Sequence, residues 1–150
     1  KVSQLSTNSV EDGDGTGVSG LIDGDLEGTG YFHSKWSAPV QDAVYGNYID
    51  LNIGKTLHSL SFDYWTRKQN GNGAPRFISL FVSDDGSIWR KLQDINKGLP
   101  GSGNTKYSSA IFTDEEGFSY VRFAVLVSAA GDMTNSASYF NLHELTFYGE

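Results

Sequence analysis

The stretch "FISLFVSDDGSIWRKL", Phe77 to Leu92, decides the fold. Two apolar-rich runs, Phe77–Ser83 and Ser87–Leu92, flank the turn residues Asp84, Asp85 and Gly86. This spacing predicts a β-hairpin in which Gly86 takes the positive φ that a tight turn requires. Similar runs recur on both sides. "YIDLNI" (Tyr48–Ile53) alternates apolar and polar residues, and "LHSLSFDYW" (Leu57–Trp65) places Leu60, Phe62 and Tyr64 on one face. "YVRFAVLV" (Tyr120–Val127) reads as a strand buried on both faces. "FNLHELTFYG" (Phe140–Gly149) reads as a closing strand with Leu142, Glu144, Thr146 and Tyr148 on one side. No long segment has helical periodicity, and only "GVSGLID" (Gly17–Asp23) suggests a single helical turn. Short strands punctuated by turn residues predict an all-β fold, an antiparallel sandwich or barrel. Two long loops, Arg67–Arg76 and Lys97–Tyr107, are where binding residues are expected to collect.

The 150 residues suit one domain, 1–150, with a core large enough to fold without staples. There is no cysteine, so disulfides, thiolate metal sites and cysteine nucleophiles are excluded. The net charge of −7 repels phosphate backbones and anionic lipid. Nucleic acid is therefore not an expected partner, and no apolar run is long enough for membrane insertion by a helix. The chain opens at Lys1 without a charged-then-apolar leader, as expected of a processed protein or an excised domain.

"DGDLEGTG" sets Asp23, Asp25 and Glu27 at alternate positions, a density of oxygen donors that suits a hard cation such as calcium. The EF-hand pattern fails, because its twelfth position is Ser34 where a glutamate is required. The upstream "DGDGTG" from Asp12 reads as a chance match. A solvated acidic turn is the plain alternative. Next comes "TGYFHSKWSAP" (Thr29–Pro39), with four rings in six residues: Tyr31, Phe32, His33 and Trp36. Tyr31 and Phe32 are expected in the core, as are Trp65 and Trp89 or a sheet face, and His58 is expected at the surface.

Taken together, "GLIDGDLEGTGYFHSKWS", "YIDLNIG", "YWTRKQNGNGAPRFISLFVSDDGSIW" and "HELTFYG" resemble the coagulation factor V/VIII C-type, or discoidin, domain. Within that family they are most similar to the family 32 carbohydrate-binding modules of bacterial glycan-degrading enzymes. The resemblance implies an antiparallel β-sandwich of jelly-roll type. It implies a structural calcium ion held by the Gly20 carbonyl, Asp23, Asp25, Thr29, Glu144 and the His143 carbonyl. The Glu27–His33 spacing is longer than the common pattern, which makes Gly30 the alternative to Thr29. Glu144, in phase with Leu142 and Thr146, would otherwise bury an unpaired carboxylate. The resemblance also implies a sugar site of His33, Trp36, Arg67 and Asn72, completed by Tyr139, with Phe140 as the alternative.

Elementary chemistry agrees with such a set. A pyranose has an apolar C–H face that packs on an aromatic ring, and a rim of hydroxyls that Arg, Asn and His can address. One ring offers little area, so affinity at a single site is expected in roughly the micromolar-to-millimolar range. Each residue also has a structural alternative. His33 can bond a backbone group, Trp36 can pack on Pro39, and Arg67 can pair with Asp63 or an acidic loop.

Catalysis has little support. No nucleophile elbow, zinc-protease motif or phosphate loop is present, and no carboxylate pair suggests a glycosidase cleft. The expected role is a non-catalytic module that holds an attached glycoside hydrolase, such as a hexosaminidase or chitobiase-like enzyme, near terminal galactose or N-acetylhexosamine glycans. A secreted, periplasmic or cell-surface bacterial setting follows. A protein- or cell-adhesion domain and a spacer without sugar binding are the alternatives.

Overall fold

The computed structural model describes residues 4–38, 42–69, 71–132 and 138–150. Nine strands are found among them: β1 (Leu5–Thr7), β2 (Phe32–His33), β3 (Asn47–Thr66), β4 (Pro75–Ser83), β5 (Arg90–Ile95), β6 (Lys106–Ser108), β7 (Phe112–Ser128), β8 (Gly131–Asp132) and β9 (Asn141–Tyr148). A 3-10 turn spans Gly17–Leu21, where the sequence suggested one helical turn. No helix among the described residues is long and apolar enough to cross a membrane.

All strand pairs are antiparallel. The main path runs β2-β9-β3-β7-β4-β5. The two strands read from Tyr48–Ile53 and Leu57–Trp65 are one long strand, β3. Its first half pairs with β1 and β7, and its second half with β9 and β6. Both of its ends return to the same end of the molecule: Asn47 donates to the Ser138 carbonyl, and Thr66 pairs with Leu142. β3 therefore folds over through the irregular step between Asn52 and Leu57 and joins the two layers of a β-sandwich.

Period-two alternation drives this arrangement. In the second half of β3, Leu60, Phe62 and Tyr64 are buried while Ser61, Asp63 and Trp65 are only partly so. The core packs Phe62, Tyr64, Phe118, Phe123, Phe140 and Leu142, each at most 1% exposed. Phe62 meets Phe123 edge-on at 5.3 Å, a favoured ring geometry. β7 is buried on both faces from Val121 to Val125. On its outer side Arg122 bonds Asp50 through Nε and Nη2, both at 2.8 Å, and lies 3.7 Å over the Tyr48 ring and 4.2 Å over Trp89. Trp65 and Trp89 are half-buried on sheet faces.

Two local expectations are corrected. The hairpin partner of β4 begins at Arg90, not Ser87. The Asp85 carboxylate accepts from the Ser87 and Ile88 amides, which draws those residues into the turn. Gly86 has φ 77°, as the turn requires. Glu144 is not in phase with Leu142. A bulge between the Trp65–Glu144 and Thr66–Leu142 pairs shifts the face, so Leu142 and Leu145 both reach the core and Glu144 is half-buried on the other side.

Candidate functional site

The end of the sandwich where β3 both begins and finishes gathers five segments. β2 is held on β9 by the pairs Phe32–Leu142 and His33–Asn141. Just beyond β2, the Ser34 amide donates to the Phe140 carbonyl and the Phe140 amide donates to Ser34 Oγ. The next residues are fastened to the N-terminal loop. Lys35 N donates to Ser9 Oγ, and the Trp36 and Ser37 amides donate to Glu11 Oε2 at 3.0 Å. This clamp leaves the Trp36 ring 50% exposed. Pro39, the alternative packing partner for Trp36, lies outside the described residues.

His33 is buried, at 2% exposure. Its Nδ1 bonds the Ser34 carbonyl at 2.7 Å, and its Nε2 is 3.2 Å from Asn141 Nδ2. An Nδ1–H tautomer satisfies both contacts, donating to Ser34 and accepting from Asn141. Burial pushes the imidazole below its ordinary value, against the opposing pulls of the Ser34 carbonyl and the Asp14 charge. The ring is therefore neutral near pH 7. The Tyr139 ring lies 5.3 Å from it, tilted by 38°. Asn141 Nδ2 also donates to Asn72 Oδ1 at 3.2 Å, so one buried amide fixes both His33 and the exposed Asn72.

Of the two structural alternatives for Arg67, pairing with Asp63 fails and pairing with an acidic loop holds, the partner being Asp14 of the N-terminal loop. Its guanidinium stacks 4.3 Å from the Tyr31 centroid, donates from Nη2 to Tyr31 Oη at 3.1 Å, and lies 3.9 Å from Asp14 Oδ1. Tyr31 is accordingly not a core residue. Phe32 points inward at 0% exposure, while Tyr31 faces the opposite way into this cluster. Asp63 is taken by Lys106 and Tyr148.

Asp14 is the hub that the sequence reading missed. Its Oδ2 accepts from Trp36 Nε1 at 2.9 Å and lies 3.8 Å from His33 Nε2, and its Oδ1 accepts from the Tyr31 hydroxyl. Burial works to raise its carboxyl. The bonds from Tyr31 and Trp36 and the neighbouring charges outweigh it, and the net shift is downward. Gly15 makes room for this hub, because a Cβ there would sit 2.3 Å from the Tyr31 carbonyl oxygen and 2.8 Å from its ring. The only sequence signal for Asp14 was the "DGDGTG" run. Asn141 carried no distinct signal, being one of several polar residues in the closing strand.

The residues read as metal ligands lie beside β9. Both oxygens of Asp25 are engaged by its own loop, accepting from the Glu27, Gly28 and Gly30 amides, which hold the carboxyl down to about 2. Asp23 accepts from the Asp25 amide, and Glu144 accepts from the Gly24 amide. Burial pushes the Glu144 carboxyl up, and the adjacent Asp23 carboxylate adds to the shift. The Gly30 carbonyl bonds His143 Nδ1 at 3.0 Å, and the Thr29 side is exposed. Among the described residues no three acidic or histidine side chains gather closely enough to hold a metal by themselves. The pressed pair Asp23–Glu144 nevertheless fits a hard cation whose other donors are backbone carbonyls.

This architecture is that of a discoidin-type β-sandwich, with a loop-built cluster at one end and both described chain ends at the other. Leu5 pairs with Leu51, and the Glu150 carbonyl accepts from the His58 and Ser59 amides. The chain belongs to the F5/8 type C domain family, which residues 4–142 match. No curated protein matches it. Among solved structures it is similar to CpGH89CBM32-5 from Clostridium perfringens, in complex with GalNAc-β-1,3-galactose, at 20% identity and a TM-score of 0.72 over 96% of this chain and 93% of that one. It is also similar to the family 32 CBM of C. perfringens NanJ, in complex with galactose, at 18% identity and a TM-score of 0.65 over 98% and 96%. A third is the C-terminal domain of a Bacteroides fragilis chitobiase, at 15% identity and a TM-score of 0.66 over 98% and 94%. At these identities the likeness establishes the sandwich fold.

Proposed function

We propose that this domain is a non-catalytic carbohydrate-binding module that recognises terminal galactose or N-acetylhexosamine. One observation carries the reading. An exposed Trp36 ring, a half-buried Tyr139 ring and the polar groups of Arg67, Asn72 and His33 meet at one end of the sandwich, although they come from separate segments. A ring for the C–H face and fixed polar groups for the hydroxyl rim are what a pyranose needs. The similar solved structures in complex with galactose and GalNAc-β-1,3-galactose support the choice of sugar. The cluster faces away from both described chain ends, so an attached glycoside hydrolase would leave it free. Tethering would then raise the local concentration of substrate at that enzyme. A secreted, periplasmic or cell-surface setting suits such a role.

A structural calcium ion belongs to the same reading. Asp23 and Glu144 would hold it, with carbonyls of Gly20, His143 and the Thr29–Gly30 segment, and Asp25 would shape the loop. The ion would neutralise the Asp23–Glu144 pair and contribute stability.

A glycan array of the 150-residue protein in calcium buffer, with Trp36→Ala alongside, tests the function. Terminal galactose or N-acetylhexosamine glycans are expected to bind the wild type and to be lost in the variant, with an unchanged circular dichroism spectrum. Binding to no glycan would sink the reading in favour of a protein partner or a spacer.

A further inference from the structure

We propose that Asp14 determines the specificity of this site, admitting neutral and amino sugars and rejecting sugars that carry a carboxylate. The inference rests on the sugar-binding reading above and adds the charge class of the ligand.

Geometry carries the argument. Asp14 stands between the residues that would touch the sugar, bonded to Trp36 Nε1 and to the Tyr31 hydroxyl and within 4 Å of both His33 Nε2 and Arg67 Nη2. Arg67 is the cation that would otherwise attract an acidic sugar, and it is already committed. Tyr31 covers one face of its guanidinium, the Tyr31 hydroxyl takes one donor, and Asp14 sets an opposite charge beside it. The carboxylate is also the more open of the two, with 26% of its side chain exposed against 12% for Arg67. The neutral His33 supplies no compensating charge. Glu11, holding the Trp36 and Ser37 amides, adds a second carboxylate to the same rim.

An approaching uronic or sialic acid would therefore meet a fixed negative group at close range, where opposite or like charge matters most. A neutral hydroxyl would instead donate a charge-assisted hydrogen bond to Asp14. An ammonium on an amino sugar would do so with added attraction.

The test is calorimetric titration with three probes on one ring: methyl β-galactopyranoside, its C6-carboxylate analogue and its 2-amino analogue. The wild type is expected to bind the carboxylate at least about tenfold more weakly than the neutral sugar, and the amine no more weakly than the neutral sugar. Asp14→Asn is expected to bring the carboxylate to within about threefold of the neutral sugar. Should Asp14→Asn fail to fold, the wild-type ranking at raised salt decides. A fixed charge inside the site still discriminates there, whereas the long-range field of the acidic surface is screened. Equal wild-type binding of the carboxylate and the neutral sugar, or a ranking that vanishes in salt, would overturn the role of Asp14 and leave sugar binding standing. Failure of all three probes, together with a blank glycan array, would overturn both.

Discussion

Single side chains here show how far local chemistry reaches. The alternation of β3 sets Tyr64 on one face with Leu60 and Phe62, and that face is the core, where Tyr64 is fully buried. Its hydroxyl has no protein partner, and burial pushes the phenol well above its ordinary value. A buried hydroxyl without a partner costs stability that its ring packing must offset. Tyr64→Phe keeps the ring contacts with Phe62 and Tyr107 and removes the unpaired group. It is expected to raise stability by about 1 kcal/mol, or the melting temperature by about 3 °C. A loss of similar size in urea denaturation would show that an ordered water or other partner serves the hydroxyl. Asp14 illustrates the opposite limit. Its partners Tyr31, His33, Trp36 and Arg67 lie on other segments, so the "DGDGTG" run around it gave no indication of them.

Secondary-structure elements were legible where alternation was clean and illegible where a bulge interrupted it. The second half of β3 and the buried middle of β7 follow the expected faces. β9 does not, because the bulge beside His143 turns Glu144 away from the face of Leu142. Glu144 is therefore half-buried off the core face, not in phase with it. The pressure on it comes from its partial burial and, beyond that, from Asp23, brought against β9 by the loop that follows the 3-10 turn. This contact ties a loop near the start of the chain to its last strand, so a cation there would clip distant segments. Chelation with EDTA is expected to lower the melting temperature by several degrees through mass action, with Glu144→Gln insensitive to the chelator. An identical melting curve in EDTA, with no metal found in the purified protein, would rule the ion out.

At the scale of the whole molecule, stability should fall on the acid side in two steps. His33 is held below its ordinary value by burial, so its contribution is complete above about pH 6.5 and is lost as pH falls through the folded-state value. Asp14, Asp63 and Asp114 are also depressed; their contribution is complete above about pH 4 and is lost on further acidification. Glu144 without a cation runs the other way, since its raised carboxyl favours the protonated form. Urea midpoints measured at about pH 7.5, 5.5 and 3.5 should decline in that order, and His33→Gln should flatten the first interval. A flat profile from pH 7.5 to 5.5 in the wild type would mean that His33 is readily protonated in the folded state.

The sequence by itself determined the strand-rich sandwich, since side chains on a strand alternate between faces and turn residues mark where pairing stops. It also determined which residue types were available to a sugar or a cation, and it set His33 and Trp36 three positions apart. The tertiary structure alone decided what those residues do to each other. The bond between Asn141 and His33 spans 108 positions, and that between Trp36 and Asp14 spans 22. Such contacts depend on how β2 docks against β9 and how the N-terminal loop crosses the end of the sandwich. No local pattern encodes either, because packing sets them and each leaves only an ordinary Asp, Asn or Tyr in the chain.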